Sequence, residues 1–149
     1  MAALVASKPT GRIAEIGTAF GAGASAMAAA LAPEASFITV EADEERYRQA
    51  RAVLAGSRAE LLNARWEDVL PERGPFDLIF FDGGLTQAGL TAAIELLAPG
   101  GILVKDDLTP GRPIEGDLVR EALLRDERLV ATELMTTPSS AAIIAVRCS

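Results

Sequence analysis

The chain has 149 residues, of which half are apolar and 23% are charged, and its formal net charge is −7. A chain of this length and composition is expected to form one globular domain with a well-developed core. The negative charge argues against a nucleic-acid partner, because proteins that bind nucleic acids present basic surfaces to the phosphates. Cys148 is the only cysteine and histidine is absent, which excludes an internal disulfide and the commonest general base.

Targeting signals are also missing from the sequence. No apolar run reaches the roughly 20 residues that a helix needs to cross a bilayer, so no membrane partner is expected. The N-terminal sequence MAALVASKPTGR lacks the basic start and the cleavage pattern of a secretory signal, which favours a cytoplasmic location. Alanine is abundant and only two of the 14 basic residues are lysines, Lys8 and Lys105, a composition that suggests a bacterial source.

Short apolar runs alternate with amphipathic segments along the chain. In chain order, the pattern predicts a strand at 12–16, a helix at 23–31, a strand at 36–41, a helix at 43–54, strands at 60–63 and 76–82, a helix at 86–97, a strand at 102–105 and a helix at 116–125. Two last β-runs, 128–135 and 141–147, flank the turn TTPSS and predict a hairpin. This alternation indicates an α/β fold with a doubly wound, mostly parallel sheet, to which the hairpin adds an antiparallel edge.

Three acidic residues lie at the carboxyl ends of predicted strands, within the last two residues of each: Glu15 in the first, Glu41 in the second and Asp82 in the fourth. Ligands of such sheets bind beyond the carboxyl ends of the strands, so we expect these carboxylates to face one site. A dinucleotide would use one of them for its ribose, and Glu41 has the expected spacing of 20 residues after Gly21. The other two would repel a pyrophosphate, since unit charges about 4 Å apart interact with roughly 4 kcal/mol at an effective dielectric constant near 20. A cationic ligand is favoured instead.

Two glycine patterns overlap after the first predicted strand. GAGASA, from Gly21, fits the dinucleotide motif G-x-G-x-x-G/A, whereas EIGTAFG, from Glu15, fits E-x-G-x-x-x-G. A dinucleotide turn follows its strand directly, but here three residues separate Gly17 from Gly21. The second pattern leaves Gly17 to turn the chain and Gly21 to let the backbone approach a ligand. S-adenosylmethionine fits these requirements, because it carries an ammonium, a sulfonium and two ribose hydroxyls but no phosphate, and a nicotinamide dehydrogenase is disfavoured.

Five motifs follow one another along nearly the whole chain: RIAEIGTAFG, FITVEADEERYRQAR, WEDVLP, FDLIFFDGG and LAPGGILVKDDL. In this order and spacing the sequence resembles class I S-adenosylmethionine-dependent methyltransferases, and among them the small-molecule O-methyltransferases of the catechol and caffeoyl-coenzyme A type. The resemblance implies a Rossmann-like, seven-stranded sheet with its antiparallel strand near one edge. It also implies methyl transfer from S-adenosylmethionine to a small-molecule acceptor, with a hydroxyl oxygen as the expected target.

The resemblance assigns cofactor contacts by position. The corresponding residues are Glu15, Gly17, Thr18 and Gly21 for the methionine portion, with Gly23 in the same loop, Glu41 for the ribose hydroxyls, Ala42, Ala64, Arg65 and Trp66 around the adenine, and Asp82 and Gly83 at the sulfonium. Other interpretations stay open from the sequence alone: Trp66 can equally be core packing and Arg65 a solvated surface charge. Asp43 and Asp117 are expected to be helix N-caps.

Relatives of this type often bind a divalent cation through the aspartate after strand four and an Asp-Asn pair after strand five. The corresponding residues here are Asp82, Asp106 and Asp107, hard oxygen ligands suited to Mg²⁺ or another divalent cation. The second and third form an Asp-Asp pair, and the relatives' lysine shortly after the strand-four aspartate is missing from FDGGLTQ. Loop capping by Asp106 and Asp107 is therefore the alternative to metal binding.

Methyl transfer asks little of a base, since placing the acceptor in line with the methyl group supplies most of the rate. If a base is used, Asp82 or Asp106 is the candidate. Only residues 1–10 precede the first predicted strand, where relatives carry helices that cover the cofactor. We therefore expect residues 1–149 to form one S-adenosylmethionine-binding domain with short or absent cap helices, its acceptor side open or closed by a second subunit of a homodimer. The alternative function is a non-catalytic S-adenosylmethionine-binding partner or regulatory domain.

Overall fold

One mixed sheet organises the residues that the computed structural model describes, 1–84 and 86–148. Within them its seven strands are β1 Arg12–Ile16, β2 Ser36–Glu41, β3 Ala59–Asn63, β4 Phe76–Phe81, β5 Leu97–Leu108, β6 Leu129–Thr137 and β7 Ser140–Arg147. The helices in the same residues are α1 Ala2–Ala6, α2 Ala22–Ala29, α3 Glu44–Val53, α4 Trp66–Val69, α5 Gln87–Glu95 and α6 Leu118–Leu124. The predicted domain, 1–149, also includes Leu85 and Ser149, which lie outside the described residues.

The strands follow the order β3-β2-β1-β4-β5-β7-β6 across the sheet. The first five in this order are parallel to one another, and β7 is antiparallel to both β5 and β6. The predicted doubly wound, mostly parallel sheet with an antiparallel C-terminal hairpin is thus confirmed. Because the chain runs outward in one direction from β1 and in the other from β4, the crevice between the carboxyl ends of these strands is the switch point where ligands of such sheets bind.

Apolar side chains on both faces of the sheet form two core clusters. Leu78 and Phe80 of β4 belong to the cluster under α1 and α2, with Met27 at its centre. Ile79 and Phe81, the alternate residues, belong to the cluster under α5 and α6. Since successive side chains of a strand point to opposite faces, burial on both sides explains why β4 is almost wholly apolar.

The prediction for β5 is wrong at both ends. The sequence placed a helix through residue 97 and a strand only at 102–105, but α5 ends at Glu95 and the strand runs from Leu97 to Leu108. Leu97 pairs with Phe76, and the register then shifts before the next pair. Gly101 allows this irregularity, because a Cβ there would lie 2.7 Å from the carbonyl oxygen of Phe76. Pairing with β4 therefore places the Pro-Gly-Gly sequence inside a strand, although the sequence alone predicts only the end of a helix there.

The helices α1 and α4 were not predicted, because five and four residues are too few to show a helical period. The other helices lie within a few residues of their predicted bounds. Asp43 caps α3 by accepting from the backbone N–H of Arg46, and Asp117 caps α6 by accepting from Val119 and Arg120, so both N-cap predictions are confirmed. Among the described residues, no helix has the length and apolar character needed to cross a membrane.

Candidate active site

The loop after β1 is held between β2 and β4. The backbone N–H of Gly17 donates to the carbonyl oxygen of Val40 in β2 at 3.0 Å, and the N–H of Asp82 donates to that of Ile16 at 2.9 Å. Gly17 has a φ of 93°, and a Cβ at this position would lie 2.5 Å from the carbonyl oxygen of Asp82. A glycine is needed both for the left-handed turn and for the close approach of the two strand ends.

Glu41 is held at the site by two backbone N–H groups. One carboxylate oxygen accepts from the backbone N–H of Ala19 at 2.8 Å, and the other accepts from Asp43 at 2.9 Å. The residue is 6% exposed and lines a cavity of about 370 Å³. Each carboxylate oxygen can accept more than one hydrogen bond, so Glu41 can still accept from a hydroxyl in the cavity while the backbone fixes its direction.

The third wall of the cavity comes from the segment after β3. The Asn63 side-chain amide donates to the carbonyl oxygen of Glu41 at 2.8 Å, and the backbone N–H of Ala64 donates to the same oxygen at 3.1 Å. Trp66 stands edge-on to Phe81 with ring centroids 5.7 Å apart and also lines the cavity. It therefore packs against the core, while its contact with adenine stays a prediction. Arg65 likewise lines the cavity, although its side chain is 71% exposed and pairs with Glu67.

The structure brings most of the predicted cofactor residues together in this cavity. Those in its wall are Gly17, Glu41, Ala42, Ala64, Arg65, Trp66, Asp82 and Gly83. The wall also includes residues that the sequence did not single out: Ile16, Ala19, Val40, Arg46, Glu67 and Gly84. Ala19 could have been found, because it lies inside E-x-G-x-x-x-G, whereas Arg46 is one of several arginines on α3 and carries no distinguishing signal.

The remaining predicted cofactor residues lie beside the cavity and are not among the described residues of its wall: Glu15, Thr18, Gly21 and Gly23. Gly21 has a φ of 88°, and a Cβ there would lie 3.2 Å from the Cα of Ala50 in α3. A Cβ on Gly23 would lie 3.0 Å from a carboxylate oxygen of Glu15. These glycines therefore let α2 pack closely on its neighbours, and direct contact with a cofactor stays a prediction.

Glu15 ends a buried chain of hydrogen bonds that the sequence did not predict. The Thr39 hydroxyl donates to the Glu15 carboxylate, and the hydroxyls of Thr18 and Thr39 are 2.6 Å apart. Burial raises the pKa of Glu15 to about 7; the Thr39 hydrogen bond opposes the rise, and Asp82 and Glu41 add to it. Glu15 therefore takes up a proton near neutral pH. The signal for Thr39 was its place as a polar residue in the apolar run SFITVE.

Asp82, which follows β4, and Asp106 and Asp107, near the end of β5, lie close to a buried lysine. Lys105 is 7% exposed, and its ammonium donates to the carbonyl oxygen of Asp106 at 2.7 Å. Burial lowers the pKa of Lys105, against the opposing effect of Asp82, Asp107 and Asp106. Partial burial raises the pKa of Asp82, and the carboxylates of Asp107 and Asp106 add to the rise while Lys105 opposes it.

The predicted metal ligands do not converge. In residues 1–84 and 86–148, no three histidine, cysteine, aspartate or glutamate side chains form a group that could hold a metal ion. One carboxylate oxygen of Asp106 instead accepts from the backbone N–H of Asp107 at 2.8 Å, as the loop-capping alternative expects. The residues present do not fit a divalent cation, and metal binding through Asp82, Asp106 and Asp107 stays an unsupported prediction.

A second cavity, of about 490 Å³, lies along the segment between β5 and α6. Its wall includes Asp107, whose charge acts on Asp82 of the first cavity. Leu108, Arg112 and Leu118 contribute apolar surface and one cation to the same wall.

A doubly wound sheet with a glycine loop after β1 and an acid at the end of β2 is typical of domains that bind a nucleotide or a nucleoside-containing cofactor. Residues 14–108 match the methyltransferase domain family, which covers well over half of the chain. The protein belongs to this methyltransferase family. No curated protein matches the sequence.

Solved structures share the fold over nearly the whole chain. The O-methyltransferase from Bacillus cereus, in complex with S-adenosylhomocysteine, is 24% identical with a TM-score of 0.80 over 98% of this chain and 78% of its own. The O-methyltransferase TomG from Streptomyces achromogenes, involved in tomaymycin synthesis and in complex with S-adenosylmethionine, is 24% identical with a TM-score of 0.79 over 99% and 78%. A Klebsiella pneumoniae protein, assigned provisionally as an O-methyltransferase, is 25% identical with a TM-score of 0.77 over the same shares.

Proposed function

We propose that this protein is an S-adenosylmethionine-dependent methyltransferase that methylates a hydroxyl oxygen of a small molecule. The observation that carries the proposal is Glu41, buried at the end of β2 and held by two backbone N–H groups with its carboxylate in the wall of the first cavity. The methyltransferase family and the complexes of the Bacillus cereus and Streptomyces achromogenes enzymes with S-adenosylhomocysteine and S-adenosylmethionine support it.

The residues around the first cavity fit S-adenosylmethionine. The volume of about 370 Å³ is in the range of small-molecule sites, which is roughly 300 to 1,000 Å³. Glu41 would accept the ribose hydroxyls, Trp66 would face the adenine, and the carboxylate of Asp82 would favour the cationic end of the ligand. When bound, the cofactor supplies an electrophilic methyl group: the acceptor oxygen bonds to its carbon, the sulfur keeps the electron pair of the broken bond, and the hydroxyl proton is lost.

Asp82 is the residue that we propose to receive this proton. It lines the first cavity, and partial burial together with the nearby carboxylates raises its pKa, which suits a group that must hold a proton briefly. Asp106, the other candidate base from the sequence, uses a carboxylate oxygen to accept from the Asp107 backbone. We therefore place Asp82 ahead of Asp106.

The acceptor is proposed to occupy the second cavity. Leu108 and Leu118 give its wall apolar surface, and the charge of Asp107 in the same wall acts on Asp82. A small, largely apolar hydroxyl compound would match this surface. Leu118→Glu should raise KM for such an acceptor without changing the dissociation constant of S-adenosylhomocysteine, because Leu118 is absent from the described wall of the first cavity.

The wider setting of the enzyme is also a proposal. The net charge of −7 supports a small-molecule acceptor over nucleic acid, and the sequence features above support a cytoplasmic, bacterial protein acting as one domain over residues 1–149. Edge strand β6 exposes Val130, Leu134 and Met135, which supports a homodimer that covers them. Analytical ultracentrifugation of the wild type and of Val130→Lys tests the dimer.

Thermal melting with separate ligands tests the cofactor. A ligand at 100 times its dissociation constant stabilises a protein by about 2.7 kcal/mol, which raises the melting temperature by roughly 5 to 11 °C for a domain of this size. S-adenosylmethionine and S-adenosylhomocysteine should produce this rise and NAD⁺ should not. Transfer of a radiolabelled methyl group to a panel of catechols and other hydroxylated compounds then separates an enzyme from a domain that only binds the cofactor.

Glu41→Ala should weaken S-adenosylhomocysteine binding about 10- to 100-fold, because hydrogen bonds to a charged group contribute roughly 1.5 to 3 kcal/mol. The matched control is Glu34→Ala, which removes an exposed glutamate outside the described wall of the cavity. Isothermal titration calorimetry measures both variants. Equal affinity in Glu41→Ala and the wild type would exclude the ribose role of Glu41.

A further inference from the structure

The carboxyl ends of β4 and β5 gather three carboxylates and one ammonium. Phe81 and Lys105 are paired in register across the two strands. Asp82 directly follows the first of them, and Asp106 and Asp107 directly follow the second. Parallel pairing therefore brings these four residues together near the carboxyl ends of the two strands, where Asp82 lines the first cavity and Asp107 lines the second.

Lys105 is built into this edge and is not a surface lysine. It is 7% exposed, and its strand neighbours are Phe81 on one side and Ile143 on the other, both fully buried. Its ammonium donates to the carbonyl oxygen of Asp106 at 2.7 Å. A buried ammonium is retained only where opposite charges and hydrogen bonds compensate its lost hydration. Here the Asp106 carbonyl oxygen accepts the hydrogen bond, and the charges of Asp82, Asp107 and Asp106 favour the charged form of the lysine.

The residues at this edge do not form a binding site for a divalent cation. The carboxylates of the described residues do not converge on a metal position, and Asp106 already accepts from the Asp107 backbone at 2.8 Å. An ammonium among these carboxylates would also repel a second cation. The cluster therefore has a cation of its own, supplied by the chain.

We infer that Lys105 is the resident cation of the Asp82, Asp106 and Asp107 cluster, and that it positions Asp82 for methyl transfer without a divalent metal. This inference rests on the proposed function for the reaction, although its charge arrangement does not. The ammonium offsets the repulsion among the carboxylates and keeps Asp82 at the end of the first cavity. Lys105 acts through Asp82 and is a positioning residue.

Metal titration tests the first half of the inference. Isothermal titration calorimetry with MnCl₂ should give no saturable binding to the wild type, with or without S-adenosylhomocysteine, and Asp106→Asn should behave in the same way. Saturable Mn²⁺ binding to the wild type that disappears in Asp106→Asn would overturn the inference.

A double-mutant cycle tests the second half. Lys105→Met, Asp82→Asn and the double variant are compared by urea unfolding at pH 8, with Lys105→Gln in place of Lys105→Met should the latter not fold. Lys105→Met should lower the folding equilibrium constant at least fivefold more in the wild-type background than in the Asp82→Asn background. Only the wild-type background keeps the repulsion of Asp82 by the carboxylates of Asp106 and Asp107, which the ammonium offsets. Additive effects would refute the coupling.

Two further variants complete the design. Lys105→Arg keeps the charge and should retain the wild-type kcat, whereas Lys105→Met should lose at least tenfold in kcat with little change in S-adenosylhomocysteine affinity. Lys8→Met, at the opposite end of β1, makes the same change in net charge and should be additive with Asp82→Asn. Failure of the wild type to bind S-adenosylhomocysteine would contradict the proposed function and leave the Mn²⁺ and unfolding results standing.

Discussion

Replacing Glu15 by glutamine should change how the stability of the protein depends on pH. Glu15 is 1% exposed, and burial raises its pKa from 4.5 to about 7. Between these values the folded protein binds a proton at Glu15 that the unfolded chain has released. Stability must therefore fall as pH rises through this window. At about 1.4 kcal/mol for each pKa unit, the loss between pH 4.5 and 7 is about 3 kcal/mol.

Glu15→Gln keeps the side-chain shape and an oxygen that accepts from Thr39, but it cannot ionise. The variant and the wild type should melt at similar temperatures near pH 5. At pH 8 the variant should melt roughly 6 to 12 °C higher, since about 3 kcal/mol corresponds to this shift in a domain of this size. Scanning calorimetry between pH 5 and 8 measures the difference.

The exposed Glu34→Gln serves as the control for the loss of one carboxylate. Its melting temperature should change with pH in the same way as that of the wild type over this range. If the melting temperature of Glu15→Gln also had the same pH dependence as that of the wild type, the buried carboxyl would not be taking up a proton on folding. The explanation of the Glu15 pKa by burial would then be wrong.

Two other substitutions test the backbone and the buried ion pairs. Gly17→Ala should lower the free energy of unfolding by more than the roughly 1 to 2 kcal/mol that an alanine in the left-handed conformation costs, because its Cβ would also clash with the Asp82 carbonyl oxygen. The control is Gly56→Ala: Gly56 has a similar φ, but a Cβ there would have no atom within 4 Å, so this variant should show the conformational cost alone. Arg120→Met should cost about 3 to 5 kcal/mol, because the fully buried Arg120 pairs with two acids at 2.6 Å. Arg128→Met, at a half-exposed pair, should cost at most about 1 kcal/mol. Urea unfolding measures each change, and equal costs within either pair would refute the stated cause.

The strands were predictable where burial leaves a simple pattern. The bounds of β1 and β2 agree with the prediction residue for residue, because each is a short apolar run with an acid among its last two residues. Strand β5 was not predictable at its start, because Pro99 and the glycines after it usually end a helix. The deciding interaction is the pairing of Leu97 with Phe76, which joins segments that are distant in the sequence.

The location of the site was predictable from the sequence, but the burial and hydrogen bonding of each acid were not. Counting residues put Glu15, Glu41 and Asp82 at strand ends, and the structure places all three around the switch point. The register that pairs Glu15 with Thr39 is a contact between two strands, and neither strand alone reveals it. That contact buries one acid beside a hydroxyl, while the next strand end presents its acid to the cavity.

These environments decide how much negative charge a cationic ligand would meet. Glu15 holds a proton up to about pH 7, so near neutrality it contributes only part of a charge. Asp82 shares its surroundings with the Lys105 ammonium, which offsets part of a second charge. Glu41 is held by backbone N–H groups on both oxygens. Most of the fixed attraction therefore falls on the acid at the ribose position, while the acids near the proposed methyl group are partly neutralised, as a site that must receive a proton from the acceptor requires.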